Sequence, residues 1–212
     1  MLAARGGGGP RLVAWLSISG GRLLIALIVG TDEAKVEREL NEGGLACPGC
    51  AAALRPWGFA RWRVLRQGSE LGRLRPRRSI CRPCRTTHVL LPRSMLLRRR
   101  DAVELIGVAI AARAAGVGHR PIAARLGLPR ETVRGWLRRF AARAEPLRVA
   151  FTALAYALDP SLSPIQPRAS PFADAYEAIV VAAQAAAGRF GALPCWQFAA
   201  AASGGRLLCN TS

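Results

Sequence analysis

The chain has 212 residues, with 31 Lys plus Arg against 13 Asp plus Glu, a net charge of +18, and 51% hydrophobic but only 6% aromatic residues. The length allows one ordinary domain or two small ones. The charge excludes a neutral, partnerless domain and points to a polyanion, and the apolar content excludes disorder throughout. Much of that apolar content is alanine, the strongest helix former, so a largely helical core is expected.

Lys35 is the sole lysine; every other cation is arginine. A GC-rich genome inflates arginine everywhere, but the placement here is local. Residues 55–143 hold 22 arginines against Glu70, Asp101, Glu104 and Glu131, a net +18, while residues 1–54 and 144–212 are each neutral. Codon bias explains why the cations are arginine and does not explain why acids are missing from one segment. That segment therefore reads as a nucleic-acid footprint.

In chain order, residues 1–21 are a poorly specified leader. Leu12 to Val29 is mostly apolar and mimics a signal peptide or a membrane span, but Gly20, Gly21 and Arg22 interrupt it. An Arg near the centre of a span costs about 2.5–3.5 kcal/mol, and no small-x-small cleavage site precedes the acidic stretch from Asp32. The expectation is a cytoplasmic, nucleoid-associated protein with no membrane partner and a buried strand over Arg22–Val29. Thr31 or Asp32 then caps a short helix through Leu40, which Gly43 and Gly44 end. Arg61–Val64 and Gly72–Arg75 alternate polar and apolar around the turn signal Gln67-Gly68-Ser69, predicting an antiparallel hairpin. In it Arg73, Arg75 and Arg77 share one strand face, and Arg61 and Arg63 another. From Ser94 the period becomes helical, with helices over Asp101–Ala115, His119–Leu126 and Arg130–Ala144, and Pro146 marking an end or a kink. Ala-rich helices follow over Leu147–Leu158 and Pro171–Ala187 around a proline-rich linker, 159–167, with a last short helix at Cys195–Ala202. This divides the chain into a leader (1–21), a strand–helix plus ribbon (22–93), a helix-turn-helix domain (94–145) and a C-terminal helical region (146–212). The fold class is mainly α with a small β zinc ribbon, a trihelical unit and Ala-rich C-terminal helices.

Cys47-Pro-Gly-Cys50 and Cys81-Arg-Pro-Cys84 are two C-x2-C pairs separated by a stretch that a hairpin fills. Four thiolates give one Zn2+ its tetrahedral shell and leave no open position, so the metal is expected to be structural. Paired disulfides need an oxidising compartment, which nothing here specifies. His88 is expected to be a strand residue rather than a ligand, and Cys195 and Cys209 free thiols.

Residues 119–138 carry the pattern of a helix-turn-helix. Ile122 and Leu126 form an inner face, Ala123 permits close approach, Gly127 supplies positive φ, Leu128 plugs the turn, and Pro129 starts a helix whose inner face is Val133, Trp136 and Leu137. Its other face, with Arg130, Glu131, Thr132, Arg134, Gly135, Arg138 and Arg139, is what a recognition helix turns to the major groove, with Arg120 beside it. Arg61, Arg63, Arg73, Arg75 and Arg77, and Arg98, Arg99 and Arg100, are candidate backbone contacts. Trp57, Phe59 and Trp62 lie among the first group. They either stack on bases or close the ribbon's own small core.

The order C-P-x-C, basic hairpin, C-x-x-C, L-P and helix-turn-helix resembles the DNA-binding front end of bacterial insertion-sequence transposases. It is more similar still to small zinc-ribbon/helix-turn-helix proteins found near mobile elements in GC-rich bacteria. Arg55-Pro56-Trp57-Gly58 and Thr87-His88-Val89-Leu90-Leu91-Pro92 carry that closer match, which covers roughly residues 30–145. The resemblance implies zinc on Cys47, Cys50, Cys81 and Cys84 and binding to double-stranded DNA. A full transposase adds a ribonuclease-H-like domain with metal-binding acids. The 67 residues after Glu145 hold only Asp159, Asp174 and Glu177, so no catalysis is expected. The expected function is sequence-specific DNA binding, as a mobile-element accessory protein or a transcriptional regulator, with a transposase or integrase and a second copy of the chain as further partners. The alternatives are an RNA- or protein-binding ribbon module, or the remnant of a transposase.

Overall fold

The computed structural model describes residues 25–209. In chain order these form β1 (Ile25–Val29), α1 (Glu33–Asn41), β2 (Arg55–Phe59), β3 (Arg63–Gln67), β4 (Glu70–Leu74), β5 (Arg77–Cys81), β6 (Thr86–Pro92), α2 (Val103–Ala114), α3 (His119–Leu126), α4 (Arg130–Ala141), α5 (Ala144–Leu158), α6 (Pro171–Phe190) and α7 (Cys195–Ala202). The expected leader, and Arg22–Leu24 of the first strand, lie outside the described residues. No single helix among the described residues is long and apolar enough to cross a membrane.

The N-terminal half is built on a four-stranded sheet in the order β1-β6-β5-β2, with β1 parallel to β6 and the other pairs antiparallel. The Asp32 side chain caps α1 by accepting from the Lys35 N–H at 3.0 Å. Val36 and Leu40, one helical turn apart, put α1 against the sheet in a small core with Cys47, Leu54, Cys81 and Leu90. The expected hairpin forms as β3–β4, a separate two-stranded sheet. One expectation about it is corrected. Arg73, Arg75 and Arg77 do not share a strand face, because β4 ends at Leu74, Arg75 lies outside it, and Pro76 separates it from β5, which Arg77 opens in the other sheet.

The helical half has one continuous core. It runs from Leu96 through Ile106, Ile122, Trp136 and Phe140 to Phe151, Ile179, Phe198 and Leu208, so α5–α7 pack into the same interior as α2–α4. The chain also departs from expectation at the end of α4. That helix stops at Ala141 rather than Ala144, Arg143 leaves the helical region at φ −119°, and α5 begins at Ala144. Pro146 therefore neither ends nor kinks a helix. It sits in the first turn of α5, where a missing N–H leaves no bond unmade. The proline-rich linker is pinned: Leu162 and Ile165 pack on the core, and the Tyr156 hydroxyl accepts from the Ile165 N–H at 3.3 Å.

Several bonds tie the halves together, among them that from Arg93 Nε to Gln197 Oε1 of α7 at 2.9 Å. The Arg66 N–H donates to the Arg100 carbonyl at 2.7 Å, and the Ala102 N–H donates to the Arg66 carbonyl at 2.9 Å. Arg66 Nε also lies 3.1 Å from Asp101 Oδ1, with both side chains largely buried. The hairpin is thereby fixed to the entry of α2.

Candidate metal centre and nucleic-acid interface

Both C-x2-C pairs form knuckles of one shape. At the first, the Ala51 N–H returns to the Cys47 carbonyl and the Cys47 N–H donates to the Ala52 carbonyl, each at 2.8 Å. The second is the turn between β5 and β6, closed by the pair Cys81 and Thr86, with the Thr86 hydroxyl donating to the Cys84 carbonyl at 3.2 Å. The four sulfurs lie within 4.8 Å of one another. Cys47–Cys84, Cys50–Cys81 and Cys50–Cys84 are separated by 3.5, 3.3 and 3.6 Å, close to the roughly 3.8 Å edge of a tetrahedron with Zn–S bonds of about 2.3 Å. The thiols contend for shared protons. A side-chain hydrogen bond with Cys81 draws Cys84 down to about 6, while burial pushes Cys47 up. One divalent cation would relieve that competition by taking all four as thiolates, and the donor set is compatible with a single Zn2+.

His88 takes the expected place in β6, opposite Ser79, and is fully buried. Its Nε2 lies 3.6 Å from Cys47 Sγ, which makes it a neighbour of a ligand rather than a fifth member of the cluster. Imidazole N–H groups beside ligating atoms orient them and tune their basicity. Its position four residues after Cys84 was the only sequence signal for this. Cys195 and Cys209 are free thiols, and burial raises Cys195 to about 11.

In the helix-turn-helix, Gly127 adopts φ +63°, and the Leu128 N–H donates back to the Ala123 carbonyl at 3.0 Å. Leu128, Ile122 and Ala123 are buried, as are Val133, Trp136, Leu137 and Phe140 along α4. That face locks α4 in place and turns Arg130, Glu131, Arg134 and Arg138 to solvent, with Arg120 exposed on α3. Arg134 pairs with Glu131 at 2.7 Å, one helical turn apart. Thr132 is half-buried, and Arg139 folds back along α4, its Nη1 donating to the Gly135 carbonyl at 2.9 Å. A Cβ at Gly135 would stand 2.9 Å from that same nitrogen, so the glycine makes room for the folded arginine.

The remaining candidate arginines divide. Arg98 and Arg100 are exposed, but Arg99 is drawn inward, donating to the Leu208 carbonyl at 3.1 Å, and burial lowers its pKa. Arg77 forms a two-pronged pair with Glu37 at 2.8 and 3.0 Å and donates to the Gly58 carbonyl. Arg61, Arg73 and Arg75 are exposed and Arg63 is half-buried. Trp57, Phe59 and Trp62 remain more than half exposed and take no part in the ribbon's core.

The family model of the Homeodomain-like domain matches residues 99–148, which span α2 through the first turn of α5. No curated protein and no solved structure matches the chain. The matched segment holds the whole helix-turn-helix, a likeness that points to DNA as a partner.

Proposed function

We propose that this protein binds double-stranded DNA sequence-specifically, with α4 in the major groove and the zinc ribbon contacting the backbone, and that it carries out no reaction of its own. The observation that carries this reading is the two-sided character of α4. Its apolar side is sealed into the core, and its other side offers Arg130, Arg134 and Arg138 within the Homeodomain-like match. Arginine reads guanine O6 and N7 with two donors, and neighbouring arginines clamp phosphates. Arg61, Arg98 and Arg100, which are exposed, and the half-buried Arg63 are further candidates for phosphate contacts. In this reading the protein is a bacterial mobile-element accessory factor or transcriptional regulator, cytoplasmic and nucleoid-associated. Its further partners are a transposase or integrase and a second copy of the chain, the latter pairing recognition helices about one DNA turn apart.

Selection from a random pool of duplex DNA tests it. One enriched duplex motif is expected, with an affinity falling steeply with salt, by a slope of about −0.9 per phosphate neutralised. Arg134→Ala and Arg138→Ala should each cost about 1–3 kcal/mol on that motif and much less on unrelated duplex. Failure to enrich any motif overturns sequence-specific binding.

A further inference from the structure

The ribbon carries a second surface that the major-groove reading of α4 does not use. Trp57, Phe59 and Trp62 are 53%, 53% and 58% exposed. The ribbon's core closes without them, around Val36, Leu40, Leu54 and Leu90. Large rings left in water need a partner or a reason. Here guanidinium groups already cover part of them. Arg73 lies 5.2 Å from the Trp62 ring centre, and Arg77 lies 4.6 Å from that of Phe59. Arg75 stands between the two rings, 5.2 Å from Phe59 and 5.9 Å from Trp62. Arginine-flanked rings with free surface are what a chain of unpaired bases stacks upon. Every base has a π-face, and the guanidinium groups meet its phosphates. An undistorted duplex hides those faces and offers base edges in its grooves, and reaching them costs a few kcal/mol of unstacking per step, so unpaired bases suit such rings better. The charge also argues against an apolar protein partner, since the hairpin's single acid is Glu70 at its tip.

A cleft of about 500 Å3 opens beside Phe59, lined also by Arg73, Arg75 and Arg77 and by the apolar Val36 and Leu90. Its carboxylates are Glu33 and Glu37, and the second is neutralised by Arg77. The surface is not a free-swinging arm. The Arg66 backbone bonds to Arg100 and Ala102 fix the hairpin to the entry of α2, so this surface and α4 are parts of one framework.

We propose that Phe59 and Trp62, with Arg73 and Arg75 and flanked by Trp57, form a second nucleic-acid site that takes unpaired bases of single-stranded DNA. A substrate with a duplex next to an opened strand would then engage both sites at once.

The test uses the full-length, zinc-loaded protein and fluorescence anisotropy with three labelled probes of about 20 nucleotides: oligo-dT, oligo-rU and a blunt duplex. The wild type is expected to bind oligo-dT. Trp62→Ala and Phe59→Ala should each weaken that binding by about 5- to 150-fold, with duplex binding changed less than about twofold. Trp62→Phe should retain most of the affinity, because the stacking face is kept. Arg75→Ala should also weaken oligo-dT binding with both rings still in place, and zinc content and circular dichroism should stay unchanged in all variants. Absence of oligo-dT binding, binding of oligo-rU alone, or equal losses on single strand and duplex would each overturn the proposal. Arg134→Ala is the converse control: it should weaken the duplex and spare oligo-dT, so this site and the α4 reading stand or fall separately.

Discussion

Ala51 and Arg85 are the residues that follow the second cysteine of each knuckle, and both adopt left-handed backbone, at φ +58° and +54°. A residue with a Cβ pays about 1–2 kcal/mol there, and glycine is the ordinary solution. Both side chains are exposed, so replacing them removes no packing. Ala51→Gly is therefore expected to raise the stability of the zinc-loaded ribbon by about 0.5–1 kcal/mol, after the extra backbone freedom of glycine in the unfolded chain is set against the relieved strain. Competition with a chelator would show it as slower metal loss, and a faster loss would refute it. Asp101 is a second residue-scale test. Burial pushes its carboxyl pKa up, with Arg66 the largest opposing influence, so the charged form is held at a cost. Asp101→Ala leaves Arg66 nearly buried without its ion-pair partner and should cost about 3 kcal/mol, whereas Asp101→Asn keeps an oxygen that can accept from Arg66 and should cost less. Denaturant unfolding of the pair decides the order. The cysteine pairs were legible as a candidate metal site because thiolate spacing is itself the chemistry, and the structure brings all four sulfurs together. The left-handed positions were not, because neither is a glycine. The ion pair was not legible either, because nothing in the local sequence links Arg66 to Asp101.

Helix α2 contains Gly107 in its middle, which costs a helix roughly 1 kcal/mol relative to alanine. The reason is Trp196 of α7. A Cβ on Gly107 would lie 2.2 Å from the indole ring, so the glycine lets α7 lie directly on α2. Gly107→Ala gains helix propensity and still should destabilise the protein by about 1–3 kcal/mol through overpacking, shifting the indole of a nearly buried tryptophan. A lower Tm together with altered near-ultraviolet circular dichroism would confirm it, and an unchanged or raised Tm would refute it. Such a contact joins elements 89 residues apart and leaves no periodic trace. The elements themselves were largely readable. Ile122, Ala123, Gly127 and Val133 mark the helix-turn-helix because each answers a local geometric demand. The strands β2 and β5 were missed, because Arg55-Pro56-Trp57-Gly58-Phe59 lacks alternation and contains two strand breakers, and Arg77–Cys81 opens with two adjacent arginines that read as an extension of the hairpin. The place of β2 at the sheet edge explains why Pro56 is tolerated. The arginines at 73, 75 and 77 looked like one face because spacing of two is a strand signal, and Pro76 cancels it.

At the scale of the whole molecule, the two hydrophobic cores are unequal. The ribbon's core is a handful of residues around α1 and the cysteines, and the helical core runs from Leu96 to Leu208. Structural zinc supplies on the order of 10–16 kcal/mol of apparent binding free energy in small modules. Chelation is therefore expected to open residues 45–90 to proteolysis while α2–α7 stay folded, and an unchanged digestion pattern would contradict this. The helical core carries a second consequence, in the segment that follows α7. Leu207 and Leu208 are fully buried there. Arg143, itself buried at the junction of α4 and α5, donates to the carbonyls of Arg206 and Cys209, and Arg99 donates to that of Leu208. Deleting residues 204–212 uncovers two leucines' worth of core, about 3–6 kcal/mol at 1.5–3 kcal/mol each, and removes the carbonyls that accept from buried Arg143 and from Nη2 of half-buried Arg99. That loss is comparable with the whole stability of an ordinary domain. The truncated protein should therefore show a much lower Tm and weaker duplex binding, although the deletion removes none of the arginines on the outer face of α4. The same reasoning applies to residues 94–145 expressed alone, which lack α5–α7 and should not fold cooperatively. Thermal unfolding of the truncated chain beside the full one measures it, and an unchanged Tm would show that the helix-turn-helix stands without the C-terminal segment.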